Sequence, residues 1–182
     1  MPKPEYLDLL KNLGVKAWIR WRQQNPFLKP DLSYANLKEV NLEEVNLEGV
    51  NLEGVNLEGA NLKGANLKGA KLVKANLYNC NLEYSKLHSA DMRGANLKGA
   101  KLNCANLKDA NLKEANLSFA QLNHAEISNV NLSYSNLSNA DFSFANLKNS
   151  SLREVELTGT NFEGANMEGS IGIPESYLQV ND

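Results

Sequence analysis

The sequence predicts an all-β solenoid, a chain wound into stacked coils, and three observations carry that expectation. Between Leu32 and Met167 every fifth residue is large and apolar, making 28 consecutive centres with no insertion. Leu fills most of them, and Met92, Met167, Ile127, Phe142 and Phe162 fill the rest. Two residues before each centre the side chain is small, from Ala35 and Val40 through Cys80 and Ser85 to Thr160 and Ala165, after Pro30 at the first step. The residue between them is Asn in 18 of the 28 steps. A strict internal period of this kind marks a repeat architecture.

The period dictates the path of the backbone. The small residue and the centre are two apart, so extended chain points both to one side. The next small residue lies three beyond the centre, as from Leu57 to Ala60. Straight chain would turn it outward. Both positions stay inside only if the chain turns a corner at the two intervening residues of every unit. Ten of the twelve glycines occupy the second of those two positions. A type II turn needs positive φ there, which glycine supplies without strain. Asn79, Asn129, Asn139 and Asn149 keep the same turn accessible, whereas Glu44, Phe119 and Phe144 predict a different turn type.

A chain that turns the same way every five residues must pair each coil with its neighbours, about 4.8 Å above and below. The units Ala60-Asn61-Leu62-Lys63-Gly64 and Ala95-Asn96-Leu97-Lys98-Gly99 resemble the A(N/D)LXX motif of pentapeptide-repeat proteins. That resemblance spans about three quarters of the chain. It implies a right-handed quadrilateral β-helix with one unit per side and twenty residues per coil. The period alone admits three sides as well as four. With four, the 28 units make seven coils, a rod roughly 34 Å long.

The expected organisation is an N-terminal helical cap and linker over 1–30, the repeat over 31–170 and a short C-terminal cap over 171–182. Residues 5–24 read as helix, with Tyr6, Leu9, Leu10, Leu13, Ala17 and Trp21 on one face and a break at Gly14. Asp8, Lys11, Asn12, Lys16 and Arg22 lie off that face, and Asn25-Pro26 ends the helix. The open end of a solenoid exposes apolar side chains and unpaired backbone, so a cover is expected. The string Trp18-Ile19-Arg20-Trp21-Arg22 is also similar to the helical caps of cyanobacterial pentapeptide-repeat proteins. Mixed charge signs off the apolar face argue against a membrane-surface helix. Val40, Val45, Val50 and Val55 fill all four small positions of the first full coil, which predicts a slightly wider one. Ile171, Ile173, Pro174, Tyr177 and Leu178 predict a thin cover at the other end.

Several classes of function are disfavoured. No run of eighteen apolar residues is present, so no membrane span is expected. The start, Met1 to Glu5, lacks the basic and apolar regions of a signal peptide, which makes the cytoplasm the default location. Cys80 falls at an inward site and Cys104 at an outward corner, so both are expected as free thiols. The pI is about 5.8 and no face is basic throughout, so nucleic acid is not an expected partner. His88 and His124 are the only histidines. Cys104 and His124, twenty apart, stack at one corner, but two ligands make no zinc site. No catalytic cluster, metal site or cofactor site is predicted, and the reading is not an enzyme.

Residues twenty apart stack on one face, and the faces are counted here from that of Leu32. The second face stacks Asn36, Asn56, Asn76, Asn96, Asn116 and Asn136, an amide ladder of structural value. Charge is banded along the axis. Residues 39–58 hold six glutamates and no base, and residues 61–113 hold ten bases against three acids. An acidic partner for the basic band is the alternative to a merely solvated surface. Tyr84, Cys104, His124 and Phe144 form one corner column, with Phe119 and Tyr134 at other corners; this aromatic group is the best candidate for a partner surface, the alternative being rings that lie flat over the rod and shield backbone between coils. Phe142, Phe162, Ile171 and Ile173 mark the C-terminal end, which is the expected contact if the chain forms a homodimer. The reading is therefore a scaffold or protein-interaction module whose protein partner is not named by the sequence. The resemblance also implies an alternative, a DNA mimic that binds and protects a type II topoisomerase (gyrase).

Overall fold

The structure is a computed structural model and describes residues 4–174 and Tyr177. Two short helices lead into the repeat: α1 spans Pro4–Lys11 and α2 spans Gly14–Gln24. Proline suits the first helical position, where its missing N–H would have no partner and its φ is already helical. Asn12 and Leu13 both donate to the Asp8 carbonyl, which closes α1. Gly14 then restarts the chain at φ +78°. That kink breaks the single apolar face expected over 5–24. Leu13 is 60% exposed, and α2 begins a new helical phase in which Trp18 and Trp21 point inward.

The buried member of that pair is Trp18, which the sequence reading did not place on the apolar face. Its ring meets Tyr6 edge-on at 6.3 Å and Trp21 at 5.3 Å, while Leu10 is buried beside them. Trp18 Nε1 donates to the Asn46 carbonyl at 2.7 Å, and Arg22 Nη2 donates to the Glu48 carbonyl at 3.1 Å. Elsewhere in the repeat such carbonyls accept N–H groups from the preceding coil. Here the two side chains of α2 stand in for them. Arg22, expected off the working face, is thus one of its anchors.

From Asp31 onward, parallel bridges join residue i to residue i+20, from Asp31–Asn51 to Ser151–Ile171. Each coil therefore holds four five-residue units, and three sides are excluded. The unit Ala95–Gly99 accounts for all five of its backbone donors. Ala95 N–H closes the corner turn on Met92 (3.0 Å), Asn96 N–H reaches Ala75 (2.9 Å), and Leu97 N–H reaches Asn116 (2.7 Å). Gly99 N–H reaches Ser118 (2.9 Å), and Lys98 N–H takes the Asn96 side-chain oxygen at 3.3 Å. No donor of the unit is left over, as buried or half-buried backbone requires. The recurrent Asn thus supplies the one acceptor that neighbouring coils do not. Asp31, Asp91, Asp141, Glu126 and Glu156 serve the same way.

The amide ladder is present in part: Asn76 donates to Asn56 and Asn96 to Asn76, while Asn36, Asn116 and Asn136 make no such bond to the column among the described residues. At the corners, every second turn residue from Tyr34 to Gly169 has positive φ, whether glycine or not. This corrects the expectation for Glu44, Phe119 and Phe144, whose φ values are +57°, +60° and +57°. A left-handed non-glycine residue costs about 1–2 kcal/mol. Their N–H groups are nevertheless fixed by the next coil, to Lys63, Ser138 and Glu163. Any other turn would break that bond and the register beyond it, so the stack overrides residue preference.

The interior is the expected column of centres, Leu32 through Leu152 being buried. Each such centre contributes roughly 1.5–3 kcal/mol by leaving water. Among the inward hydroxyls Ser135 donates to the Leu132 carbonyl, Ser150 to Ile127 and Thr160 to Leu137, whereas buried Ser85 Oγ has no partner among the described residues. Cys80 Sγ donates to the Leu57 carbonyl. Burial pushes its thiol pKa up to about 12. Both cysteines are free. At the far end Phe142 and Phe162 stack at 5.4 Å, and Tyr177 closes over Phe162 edge-on at 6.0 Å while its hydroxyl donates to the Leu157 carbonyl. Leu178 lies outside the described residues.

Candidate interaction surface

The corners carry the outward side chains, and the left-handed backbone there directs each one along the rod toward the next coil. Where that coil has glycine, the side chain lies over it. The Tyr34 ring covers Gly54 and the Phe144 ring covers Gly164, while Asn79 and Asn139 cover Gly99 and Gly159. Tyr84, Phe119, Tyr134 and Phe144 are still 55–59% exposed. The rings thus shield backbone with one side and meet solvent with the other.

The register brings Tyr84, Cys104, His124 and Phe144 to one corner column, as the spacing of twenty requires. Within it His124 and Phe144 stack nearly parallel, 5.2 Å apart at 11°. Cys104 is exposed. Phe119 and Tyr134 sit on two other corners and are not joined to this column. Lys98 lies 5.8 Å from the Phe119 ring centre and Lys113 5.4 Å from that of Tyr134. Lys63 holds the same relation to Tyr84 at 5.8 Å. In each case the lysine comes from the preceding coil, and an exposed cation over a ring contributes about 0.5–1 kcal/mol. His88 lies on the fourth face, half-buried, with its Nδ1 unpartnered among the described residues.

The charge bands are stitched together locally. Lys38 pairs with Glu58 at 3.0 Å, Lys68 with Glu48 at 3.8 Å and Lys148 with Glu168 at 2.9 Å, each across one coil. The bonded Arg93 guanidinium holds the Asp91 carboxyl below its ordinary range. Burial raises the Glu126 carboxyl, and the bonds from Ser128 and Asn146 overcome it, leaving its pKa lowered. Among the described residues no group of three or more His, Cys, Asp or Glu could hold a metal ion. No helix among them is long and apolar enough to cross a membrane.

At the C-terminal end Phe142 has no exposed surface and Phe162 almost none, whereas Ile171 is exposed and Ile173 half-buried. At the N-terminal end α2 and the linker 25–30 leave a cleft of about 760 Å³ against the corner glycines Gly49 and Gly69. Arg22, Phe27, Leu28, Lys29 and Lys68 line it. The sequence reading missed this cleft. The available signal was Phe27-Leu28, an apolar pair outside the five-residue period.

Corners every five residues and pairing at twenty define a four-sided β-solenoid built from pentapeptides. Pentapeptide-repeat models match residues 31–64 and 60–99 (Pentapeptide repeats, 8 copies) and 85–162 (Pentapeptide repeat region). The chain belongs to the pentapeptide-repeat family. None of the curated proteins compared matches it. Among solved structures it is similar to HetL of the cyanobacterium Nostoc sp. strain PCC 7120, described as involved in heterocyst differentiation regulation. That likeness has 31% identity over 78% of this chain and 76% of HetL, with a TM-score of 0.56. It is also similar to a trypsin-treated variant of QnrB1, a plasmid-mediated fluoroquinolone resistance protein, at 19% identity over 71% of this chain and 68% of that one, TM-score 0.55. Rfr23 of Cyanothece 51142 matches at 23% identity over 87% of this chain and 99% of its own, TM-score 0.28. These structural neighbours imply a right-handed β-helix-type solenoid.

Proposed function

We propose that the chain is a non-enzymatic scaffold, a seven-coil rod capped by α1 and α2, which binds a protein partner through its corner aromatics. The observation that carries this reading is Tyr84, Phe119, Tyr134 and Phe144 held at left-handed φ while more than half exposed. Each pays about 1–2 kcal/mol for that backbone where glycine would be unstrained. Exposed aromatic clusters commonly mark interaction surfaces. The exposed Ile171 supports self-association through the C-terminal end.

Replacing Tyr84, His124 and Phe144 together with Ser tests the reading. The melting curve should stay nearly intact while the partner retained from the source cell, identified by mass spectrometry, is lost. Retention of that partner by the triple variant refutes the site. DNA mimicry is opposed by charge. A duplex carries one charge per roughly 1.7 Å, so a rod of roughly 34 Å calls for about twenty uncompensated charges. Residues 32–170 hold 16 acids and 13 bases. The chain should therefore leave gyrase supercoiling unchanged.

A further inference from the structure

We infer that the cleft between α2, the linker and the fourth face is a second docking site, which takes an acidic, extended segment of another protein carrying an apolar side chain. The inference extends the interaction-module reading to a surface which that reading does not use. Phe27 is 95% exposed and Leu28 is 50% exposed, although the rest of the cap buries Tyr6 and Trp18 and half-buries Trp21. An aromatic ring left in water at the mouth of a cleft is the usual anchor of a binding surface. The floor at Gly49 and Gly69 has no side chains, and Ser89 continues it, so a peptide backbone could approach closely.

The charge at this place selects the partner. Arg22, Lys29 and Lys68 line the cleft against a single acid, Glu48. Lys68 lies 3.8 Å from Glu48, which accounts for one of the three bases. Arg22 spends Nη1 on the Leu28 carbonyl and Nη2 on the Glu48 carbonyl, both uncharged, and its Nε has no partner among the described residues. Lys29 is exposed. Along the fourth face Lys68, Lys86 and Lys108 then follow on successive coils, with His88 between them. Between Glu48 and Glu126 that face carries one acid, Asp109, exposed beside Lys108. Asp109, at its corner, already accepts from Asn129. A ligand leaving the cleft along this face thus meets three lysines and a histidine against one acid over three coils. Apolar anchor plus a continuing basic track fits an acidic peptide better than it fits a compact anion or an uncharged chain.

The test pans a random dodecapeptide phage library on the full chain. The leading peptide is then measured as a synthetic, fluorescein-labelled probe by anisotropy. Enriched sequences should combine several Asp or Glu with an aromatic or aliphatic residue. Affinity should fall about tenfold or more in Phe27→Ser and in Lys68→Glu, and should fall as salt is raised. Both substitutions are at exposed side chains, and unchanged melting curves verify that the fold persists. The Tyr84, His124 and Phe144 triple variant should bind the probe normally. Absence of enrichment, basic or uncharged winners, or a probe indifferent to Phe27→Ser would overturn the inference. Winners lost in the triple variant but kept in Phe27→Ser would overturn it while supporting the corner site. Self-association that Phe27→Ser abolishes would also overturn it, because the occupant would then be a second copy.

Discussion

A Cβ placed on Gly164 would lie 2.6 Å from Cδ1 of the Phe144 ring, one coil away. The pair Tyr34 and Gly54 repeats the relation at 2.5 Å. Large corner side chains at these places thus rest on a glycine that leaves them room. Gly164→Ala should lose about 1–3 kcal/mol, part from its left-handed φ and part from displacing the ring. In Phe144→Ala the same glycine substitution should cost only the backbone part. Chemical denaturation of both singles and the double variant measures the coupling. Fully additive costs would show that the ring and the glycine do not touch.

Leu97 is fully buried at mid-rod, between coils that pair with its own on both sides. Leu97→Lys places an ammonium group there with no acid to meet it, and desolvation of an unpaired charge costs several kcal/mol. Cooperative thermal unfolding should disappear. A soluble variant melting at the wild-type midpoint would contradict the stacked core.

The thiols should separate by reactivity. Cys104 is exposed and should react with a disulfide reagent at neutral pH, whereas buried Cys80 should react only after unfolding. The folded pKa of Cys80, about 12, stands above the ordinary thiol value of 9.0. The unfolded chain therefore loses this proton first. Its contribution to stability is complete below pH 9 and is lost as pH rises from there toward 12. Comparing wild type with Cys80→Ala across that range isolates the slope, which should be shallower in the variant.

We propose that two copies meet through the C-terminal end, where Ile171 is exposed. The full chain should scatter light as a dimer, and deletion of 171–182, which removes Ile171 and the Tyr177 ring over Phe162, should change that mass. An unchanged mass, or one that changes only when residues 1–24 are removed, would rule this end out.

What was legible in the sequence follows the repeat. A centre, a small residue and an Asn recur at fixed spacing, so burial at Leu97 or Ala95 and the column from Tyr84 to Phe144 could be read as arithmetic. Two features resisted for different physical reasons. The turn at Phe119 is decided by its N–H bond to Ser138 on the next coil, a long-range contact that outweighs the preference of the residue itself. The inward turn of Trp18 depends on the angle of the kink at Leu13 and Gly14, and Gly14 marks the break without fixing that angle. The cleft at Phe27 depends on how α2 and the linker seat on the rod, and Phe27-Leu28 was its one mark in the sequence.

The pairing of residue i with residue i+20 also sets a rule for how such a rod can change in length. Gain or loss of a whole coil slides the distal surface along the axis and leaves its azimuth alone. Gain or loss of one pentapeptide keeps every Leu inside and every backbone bond available, yet rotates all that follows by a quarter turn. The fold would accept both events alike, but only the first keeps Phe144 in line with Tyr84. The length of the rod and the alignment of its surfaces are thus inherited in different quanta, twenty residues for recognition and five for stability.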